Sequence, residues 1–263
     1  MKKLVVVGLA LALIAALLPI LTVSADSVNV IKNGSFEEEF VWGVGKYWNA
    51  FNNGGLTGYG YHDDTWNRTV FDGKYSALLE IHTSDALSEN DKDRYTGLYQ
   101  VVDVVPGSRY MFSFYGMLRS TAKGEIKKGS YNYRVEVGYD YNGGTDPWAV
   151  TEWEELNWPE YERENPRAWQ SYAHGVTPTG NKLTVFIRVH KKFPTTMEEA
   201  DINLDAVSLL GPAPTGFVAA ATPAAETPTI PKTGAGDALP LVGLALAIAA
   251  IGLTTTRLLK RNQ

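Results

Sequence analysis

Two long segments of the chain concentrate its tryptophans, whose indole rings are well suited to lie against flat, weakly polar ligand faces. Residues 42–66 and 148–169 hold all seven tryptophans. Sugars present faces of C–H bonds that pack on indole and phenol rings, while Asn, Asp, Arg and Gln side chains bind their hydroxyl groups. We expect about half of these rings to be structural. The sequence predicts ligand contacts from five of them: Trp48, Tyr61, Trp66, Trp148 and Trp153.

Paired carboxylates could serve a glycoside hydrolase or lyase if they lay ~5 to 9.5 Å apart. Glu136 and Asp140 share one face of a predicted strand but lie ~13 Å apart at ~3.3 Å per residue, which is too far. Glu152 and Glu154 would lie ~7 Å apart on an extended segment, within the range of an inverting enzyme. Further glutamates surround this pair, so a solvated acidic loop accounts for it as well. The sequence favours a protein without catalytic activity, and a glycoside hydrolase or lyase remains an alternative.

Other chemical signatures are missing from the sequence. It contains neither Gly-x-Ser-x-Gly nor His-Glu-x-x-His, and its four histidines are scattered. It has no cysteine, which excludes disulfides, thiolate metal sites and a cysteine nucleophile. The net charge is −5, with no basic block in the middle of the chain, so the electrostatic footprint of a nucleic-acid-binding protein is absent.

The elements that position these side chains are predicted to be β-strands. Residues 100–105 are rich in valine, residues 110–115 are rich in aromatic side chains, and Pro106-Gly107 between them is typical of a turn. This pattern predicts a β-hairpin over Gln100 to Gly116. Apolar residues fall on both faces of each arm, which predicts one face in a core and the other lining a groove.

Two further segments alternate apolar and polar residues with a period of two. Residues 131–141 and 183–190 each predict a strand with one large apolar face. With at least six predicted strands, turn signals between them and no amphipathic helix, the chain is predicted to be an all-β, jelly-roll β-sandwich of two antiparallel sheets. Either a binding groove or a plain exposed sheet face would then hold the polar side chains of these two strands: Arg134, Glu136, Arg188 and His190.

Four motifs in this order carry a resemblance to a known family. The opening segment Asn33-Gly34-Ser35-Phe36-Glu37, residues 73–78, residues 100–114 and residues 202–209 together resemble the carbohydrate-binding modules of the cellulase-associated family 4/9/22 type. The resemblance spans about residues 29–210. It implies the same jelly roll, but these motifs belong to the scaffold and imply much less about the ligand.

The resemblance also implies a structural calcium ion where the opening and closing strands meet. Glu37 and Asp205 stand at the corresponding positions and offer one carboxylate each. Calcium prefers six to eight oxygen ligands, so backbone carbonyl groups near Ser35 and Lys74 would have to complete the shell. The alternative is that Glu37 is an exposed charge and that Asp205 caps a turn.

The N-terminus is typical of a secretory signal peptide. Lys2-Lys3, an apolar run over residues 4–21 and small residues at Val23 and Ala25 predict export, with cleavage after Ala25. An uncleaved membrane anchor is the alternative, because the apolar run is long. The predicted domain then occupies residues 26–211, followed by a Pro-, Ala- and Thr-rich linker over residues 212–229.

Residues 230–263 resemble a sortase cell-wall sorting signal, with a pentapeptide, an apolar span and a basic tail. Ile230 stands where the family usually has leucine, and the resemblance implies cleavage between Thr233 and Gly234 by a sortase-like transpeptidase. The alternative is a plain transmembrane anchor, since residues 238–256 are about long enough to cross ~30 Å of hydrocarbon. Both interpretations tether the domain outside the cell, at the cell wall or the membrane.

The combined prediction is a non-catalytic, cell-surface carbohydrate-binding protein that binds a poly- or oligosaccharide through aromatic loops and a sheet groove. The alternative from another class is a structural or adhesive surface domain that binds protein ligands. Scaffold motifs are compatible with both.

Overall fold

A computed structural model of the protein describes residues 27–55, 57–83, 93–122, 131–192 and 197–218. Within these ranges the chain forms strands and no helix, so no described helix could cross a membrane. The strands are β1 (Ser27–Asn29), β2 (Phe40–Val41), β3 (Val44–Gly45), β4 (Asn49–Asn52), β5 (Thr57–Asp64), β6 (Ser76–Thr83), β7 (Arg94–Asp103), β8 (Tyr110–Ala122), β9 (Tyr133–Asp140), β10 (Trp153–Leu156), β11 (Glu160–Glu162), β12 (Gln170–Val176), β13 (Lys182–Lys191) and β14 (Glu198–Pro212).

The strands form two large sheets and one small one. The seven-stranded sheet has the order β11-β8-β14-β6-β5, with β1 paired to β14 and β12 paired to β8. The five-stranded sheet has the order β10-β9-β13-β7-β4, and β2 pairs with β3 alone. All neighbours are antiparallel except β11, which runs parallel to β8. The predicted all-β sandwich is confirmed, with this one parallel pair as a departure from purely antiparallel sheets.

The core lies between the two large sheets and is built from alternating positions along each strand. In β8, Phe112 and Phe114 are buried, while Met111 and Tyr115 are exposed. In β13 the same period buries Leu183, Val185, Ile187 and Val189 in the core cluster. Burial of each such side chain contributes about 1.5 to 3 kcal/mol of transfer free energy, and the chain has no disulfide to add to it.

The predicted hairpin over Gln100 to Gly116 is wrong in its pairing. β7 lies in the five-stranded sheet between β13 and β4, whereas β8 lies in the seven-stranded sheet, so the connection through Pro106-Gly107 crosses from one sheet to the other. Gly107 has a positive φ of 72°, as a tight turn requires. The backbone amide of Val105 donates to the hydroxyl group of Tyr110 at 2.8 Å. The same turn residues serve a hairpin or a crossover, and only distant partner strands distinguish the two.

The packed chain continues a few residues into the predicted linker. Pro212 pairs with Ser27, and its carbonyl oxygen accepts a hydrogen bond from the Tyr110 hydroxyl at 2.7 Å. Phe217 packs against the core. The predicted signal peptide (1–25) and sorting signal (230–263), including the Thr233/Gly234 cleavage site and the span 238–256, lie outside the described residues.

Candidate functional site

The outer face of the five-stranded sheet, turned away from the core, gathers aromatic and charged side chains. Directly paired residues of neighbouring antiparallel strands lie on the same face. Phe186 pairs with Tyr99, and His190 pairs with Tyr95. Arg188 pairs with Glu136 of β9. We call this surface the aromatic face and define it by Phe51, Tyr95, Tyr99, Glu136, Trp148, Trp153, Phe186, Arg188 and His190.

Two glycines let the rings lie directly on the sheet. A Cβ atom at Gly97 would stand 2.5 Å from Cζ of Phe51, and one at Gly138 would stand 3.0 Å from Cε3 of Trp153. Real Cβ atoms do not approach side chains so closely, so any larger residue would lift these rings away from the backbone. Phe51 and Trp153 both contact Phe186, with ring centroids 6.1 Å apart in each case. Phe186 is fully buried beneath them although it faces away from the core.

Arg188 is held between two aromatic rings at the centre of this face. Its guanidinium carbon lies 3.6 Å from the ring centroid of Trp153 and 4.2 Å from that of Tyr95. A cation in contact with aromatic faces is stabilised by the ring quadrupoles, and the effect strengthens with desolvation. The guanidinium also bonds to Glu136, with Nε and one terminal nitrogen each 2.6 Å from Oε2. Arg188 is therefore fixed in position.

A histidine extends this pair into a buried network. The His190 ring stacks on Tyr95 with centroids 4.4 Å apart, and its Nδ1 lies 2.7 Å from Oε1 of Glu136. Its Nε2 lies 2.7 Å from Oδ2 of Asp93, near the edge of the face. Burial by itself raises the pKa of Glu136, but the bonds to His190 and Arg188 outweigh it and hold that pKa below its usual value. Glu136 is therefore ionised at neutral pH.

Trp148 supplies the most open ring of the aromatic face, with 51% of its surface exposed. Two rings support it by edge contacts, Phe51 with centroids 6.1 Å apart and Tyr95 with centroids 5.9 Å apart. The indole is thus fixed from below and presents apolar surface to solvent. A rigid, partly exposed tryptophan is the usual form of an aromatic binding anchor.

At one end of the face, two basic side chains share one glutamate. Arg134 Nε lies 3.2 Å from Oε1 of Glu155, and the Lys192 ammonium contacts Oε2 of the same glutamate. Together with the pairing of Arg188 and Glu136, this arrangement gives each of these two arginines a carboxylate partner. Such a surface suits a neutral ligand that makes apolar contacts and hydrogen bonds.

The structure brings together part of the predicted site. Trp148, Trp153, Glu136 and Arg188 lie on the aromatic face, and so does His190. Arg134 shares the register of His190 and lies at the end of the same face. The apolar and charged halves of the prediction, made from separate parts of the sequence, thus meet on one sheet.

Three predicted aromatic residues lie elsewhere. Trp48 is buried in the core, where its indole N–H donates to the Asn33 carbonyl oxygen at 3.1 Å. Tyr61 of β5 links the two large sheets, because its hydroxyl group donates to the backbone carbonyl oxygen of Phe51 in β4 at 3.0 Å. Trp66 is exposed but lies over Arg119 of the seven-stranded sheet, 5.9 Å from ring centroid to guanidinium carbon. None of the three lies on the aromatic face, so the structure does not bring them together with Trp148 and Trp153.

Four rings of the aromatic face were not predicted as site residues, namely Phe51, Tyr95, Tyr99 and Phe186. One signal was present for Phe186, which alternates in phase with Arg188 and His190 along β13. Tyr95 and Tyr99 each stand two residues from Gly97, so the two rings lie on one face of β7 with a glycine between them. Neither signal indicates which face is the core without the pairing of β7 and β13.

The candidate catalytic pair does not flank the aromatic face. Glu154 follows Trp153 in β10, and successive side chains of a strand point to opposite faces. Its Oε2 accepts a hydrogen bond of 2.6 Å from the Tyr172 hydroxyl. Glu152 precedes the strand and is exposed. A ligand on the aromatic face would therefore meet Trp153 rather than this pair of carboxylates.

The predicted calcium ligands Glu37 and Asp205 both hold the loop that contains Lys74. Glu37 Oε1 accepts backbone hydrogen bonds from Lys74 at 2.8 Å and Tyr75 at 2.9 Å. Asp205 accepts from Phe71 at 2.9 Å, Asp72 at 3.0 Å and Ala206 at 2.7 Å. Amide donors around both carboxylates are a different environment from the oxygen shell that calcium prefers. The calcium ion, with carbonyl groups near Ser35 and Lys74, stays a prediction.

Comparisons with known proteins found matches only among solved structures. No protein-family model and no curated protein matches the sequence. A family 61 carbohydrate-binding module in complex with β-1,4-galactotriose is 13% identical, with a TM-score of 0.40, covering 70% of this chain and 99% of the other. The CBM22-1 xylan-binding domain of Paenibacillus barcinonensis Xyn10C is 16% identical, with a TM-score of 0.40 and coverage of 73% and 99%. The K1 cleaved adhesin domain of Lys-gingipain from Porphyromonas gingivalis is 11% identical, with a TM-score of 0.41 and coverage of 72% and 100%.

Proposed function

We propose that this protein is a non-catalytic carbohydrate-binding protein that holds a neutral poly- or oligosaccharide on the aromatic face. The observation that carries the proposal is the open indole of Trp148 beside the fixed arrangement of Trp153, Arg188 and Tyr95. A pyranose ring laid on Trp148 would bury its C–H face, and the neighbouring arginine would donate to ring hydroxyl groups.

The paired arginines of the face support a neutral sugar over an acidic one. Arg188 already binds Glu136, and Arg134 already binds Glu155, so neither guanidinium is free to pair with a ligand carboxylate. A charged ligand would have to displace one of these pairs. A neutral sugar would leave both pairs intact.

The experiment that tests the function is a glycan array probed with the purified protein and followed by calorimetry on any ligand found. We expect binding to one class of neutral polysaccharide or its oligosaccharides. If the folded protein binds no saccharide at millimolar concentration, the alternative of a structural or adhesive domain that binds protein ligands replaces this proposal.

Replacement of Trp148 by alanine is expected to weaken saccharide binding by about 1 to 3 kcal/mol, because the most exposed anchor ring is lost. Trp66→Ala provides the matched control, since it removes another exposed indole that lies on the seven-stranded sheet. Calorimetry with the array ligand measures both variants. Equal losses for the two variants, or a loss for Trp66→Ala alone, would place the ligand away from the aromatic face.

We further propose that the domain is displayed outside the cell and tethered by residues 230–263, by a sortase-like transpeptidase or as a membrane anchor. The signal-peptide pattern of residues 1–25 and the sorting-signal pattern support this placement. Cell fractionation with an antibody to the domain should find the protein in the envelope, without residues 1–25. Recovery of a chain that begins at Met1 from the cytosol would contradict the proposal.

A further inference from the structure

A cluster of histidine and glutamate side chains lies on the outer face of the seven-stranded sheet. We define this histidine–glutamate cluster by His62 of β5, Glu80 and His82 of β6, and Glu199 of β14. Glu199 pairs directly with His82 across the β14–β6 ladder, so the two side chains share a face. Donor atoms of Glu80, His82 and Glu199 all lie within 4.8 Å of one another. The aromatic face lies on the other sheet, so the cluster has no part in the proposed saccharide binding.

We propose that the histidine–glutamate cluster binds a divalent transition-metal ion of the zinc class. Imidazole nitrogen favours zinc, copper and nickel over calcium and magnesium, and zinc also accepts carboxylate oxygen. The ligands would be Glu80, His82 and Glu199, with one donor atom each. His62, which bonds to Glu80, would have to turn to join them as the fourth.

The two distances from His82 to its glutamate neighbours fit donors that share an ion better than donors that share a proton. His82 Nε2 lies 3.7 Å from Glu80 Oε2, and His82 Nδ1 lies 3.7 Å from Glu199 Oε1. Both separations exceed a hydrogen bond. Two donors bound to one tetrahedral zinc ion at ~2.0 to 2.2 Å each stand about 3.3 to 3.6 Å apart, so a small rotation of either side chain would complete the geometry. His62 Nε2 lies 2.7 Å from Glu80 Oε2, a hydrogen bond that would have to give way for His62 to bind the same ion.

The backbone leaves room for these side chains at one position. A Cβ atom at Gly60 would stand 2.3 Å from Glu80 Oε2 and 2.8 Å from His62 Nε2. Any other residue at Gly60 would fill the space in which the carboxylate and the imidazole meet. A side chain at Gly60 would therefore displace the ends of Glu80 and His62 from their present positions.

The surrounding charges favour a cation. Three carboxylates, those of Glu80, Glu199 and Asp201, face two guanidinium groups. Arg163 lies 2.7 Å from Glu199 Oε1 and 2.9 Å from Asp201 Oδ2, and Arg119 lies 3.3 Å from the same Asp201 oxygen. The other Asp201 oxygen, Oδ1, is buried without a hydrogen-bond partner, and Asp201 is only 3% exposed. Asp201 pairs directly with Glu80 across the ladder. The three carboxylates thus exceed the two guanidinium groups by one, and Asp201 Oδ1 has no hydrogen-bond partner.

The test is a titration of the full-length, chelator-treated protein with ZnCl2, followed by calorimetry and by thermal unfolding. We expect one zinc ion per chain and a higher melting temperature in its presence, whereas CaCl2 and MgCl2 should have no such effect. His82→Ala and Glu80→Gln should each weaken zinc binding about tenfold or more. His174→Ala is the control, because His174 is similarly exposed and lies 3.5 Å from Glu154 outside the cluster.

Two results would overturn the proposal. One is zinc binding that is equal in the wild type, His82→Ala and Glu80→Gln. The other is calcium binding as tight as zinc binding at this site. Should either variant fail to fold, His62→Ala serves instead, since that side chain is 53% exposed and its loss leaves the core intact. Trp148→Ala should leave zinc binding unchanged, so failure of this proposal and failure of the saccharide proposal are distinguishable.

Discussion

Replacement of Glu136 by alanine is expected to lower the free energy of unfolding by about 3 to 5 kcal/mol, the range for breaking a buried ion pair from one side. The side chains of Glu136 and Arg188 are only 6% and 9% exposed. Loss of the carboxylate leaves a buried guanidinium without its counter-charge and removes the partner of His190 Nδ1. The contacts of Arg188 with Trp153 and Tyr95 remain but cannot replace a full negative charge.

Denaturant unfolding measures this effect against a control on the same sheet. Glu155 lies directly opposite Glu136 in the β10–β9 ladder, but its side chain is 40% exposed. Glu155→Ala breaks only a surface pair and should cost less than about 1 kcal/mol. The double variant Glu136→Ala/Arg188→Ala should lose less stability than the sum of the single variants, since it leaves no unpaired charge. Similar costs for Glu136→Ala and Glu155→Ala would contradict the assignment of a buried pair.

The same pair should also contribute to acid stability. A carboxyl group whose pKa is lower in the folded state than in the unfolded state stabilises the fold above its unfolded pKa, and this contribution is lost as the pH falls through the folded value. His190 and Arg188 lower the pKa of Glu136 in this way, in spite of burial. The stability difference between the wild type and Glu136→Ala should therefore persist at pH 5 and shrink only below the usual range of glutamate.

The strands that could be predicted were those whose pattern is local. Residues 131–141 and 183–190 alternate with a period of two, and β9 and β13 occupy them almost exactly as the alternation requires. Periodicity fixes which side chains of one strand share a face, so Glu136 on one strand, and Arg188 and His190 on the other, could each be placed on a face away from the core. It does not fix which strand is the neighbour. The Pro106-Gly107 turn therefore suggested a hairpin where the chain changes sheets.

Predicting the site required information that a single sequence lacks. Trp48 and Trp148 both occur in segments rich in aromatic residues, but the first is held in the core by the Asn33 carbonyl oxygen and the second is exposed. Phe51 reaches the aromatic face only because β4 pairs with β7 and Gly97 has no side chain. Composition could suggest that some aromatic rings bind the proposed ligand, but not which ones. Which rings reach the aromatic face depends on the register between paired strands, and that register arises from contacts between residues far apart in the sequence.

The second large effect is expected at Asp205, whose replacement by alanine should lower the free energy of unfolding by about 3 kcal/mol. The fully buried carboxylate accepts hydrogen bonds from three backbone N–H groups, those of Phe71, Asp72 and Ala206. A buried donor that loses its acceptor costs about 1 to 3 kcal/mol, and the exposed loop at Phe71 and Asp72 can recover part of this from water. Asp205→Asn keeps an acceptor oxygen and should cost less. Equal stability of Asp205→Ala and the wild type in denaturant unfolding would show that these bonds contribute nothing net.

The pH dependence of the wild type then separates an amide-bonded Asp205 from a calcium-bound one. Burial raises the pKa of Asp205 to about 6, although its backbone hydrogen bonds oppose the shift. Because the folded state binds this proton more tightly than the unfolded state, the contribution of Asp205 to stability falls as the pH rises from about 4 to 6. A calcium ion would favour the ionised carboxylate and reverse the trend.

In excess EDTA, the stability attributable to Asp205, measured against Asp205→Asn, should therefore decrease between pH 4.5 and pH 7. If millimolar calcium turns that decrease into an increase and raises the melting temperature only in the wild type, Asp205 is a calcium ligand; identical curves in EDTA and calcium would exclude an ion at Glu37 and Asp205.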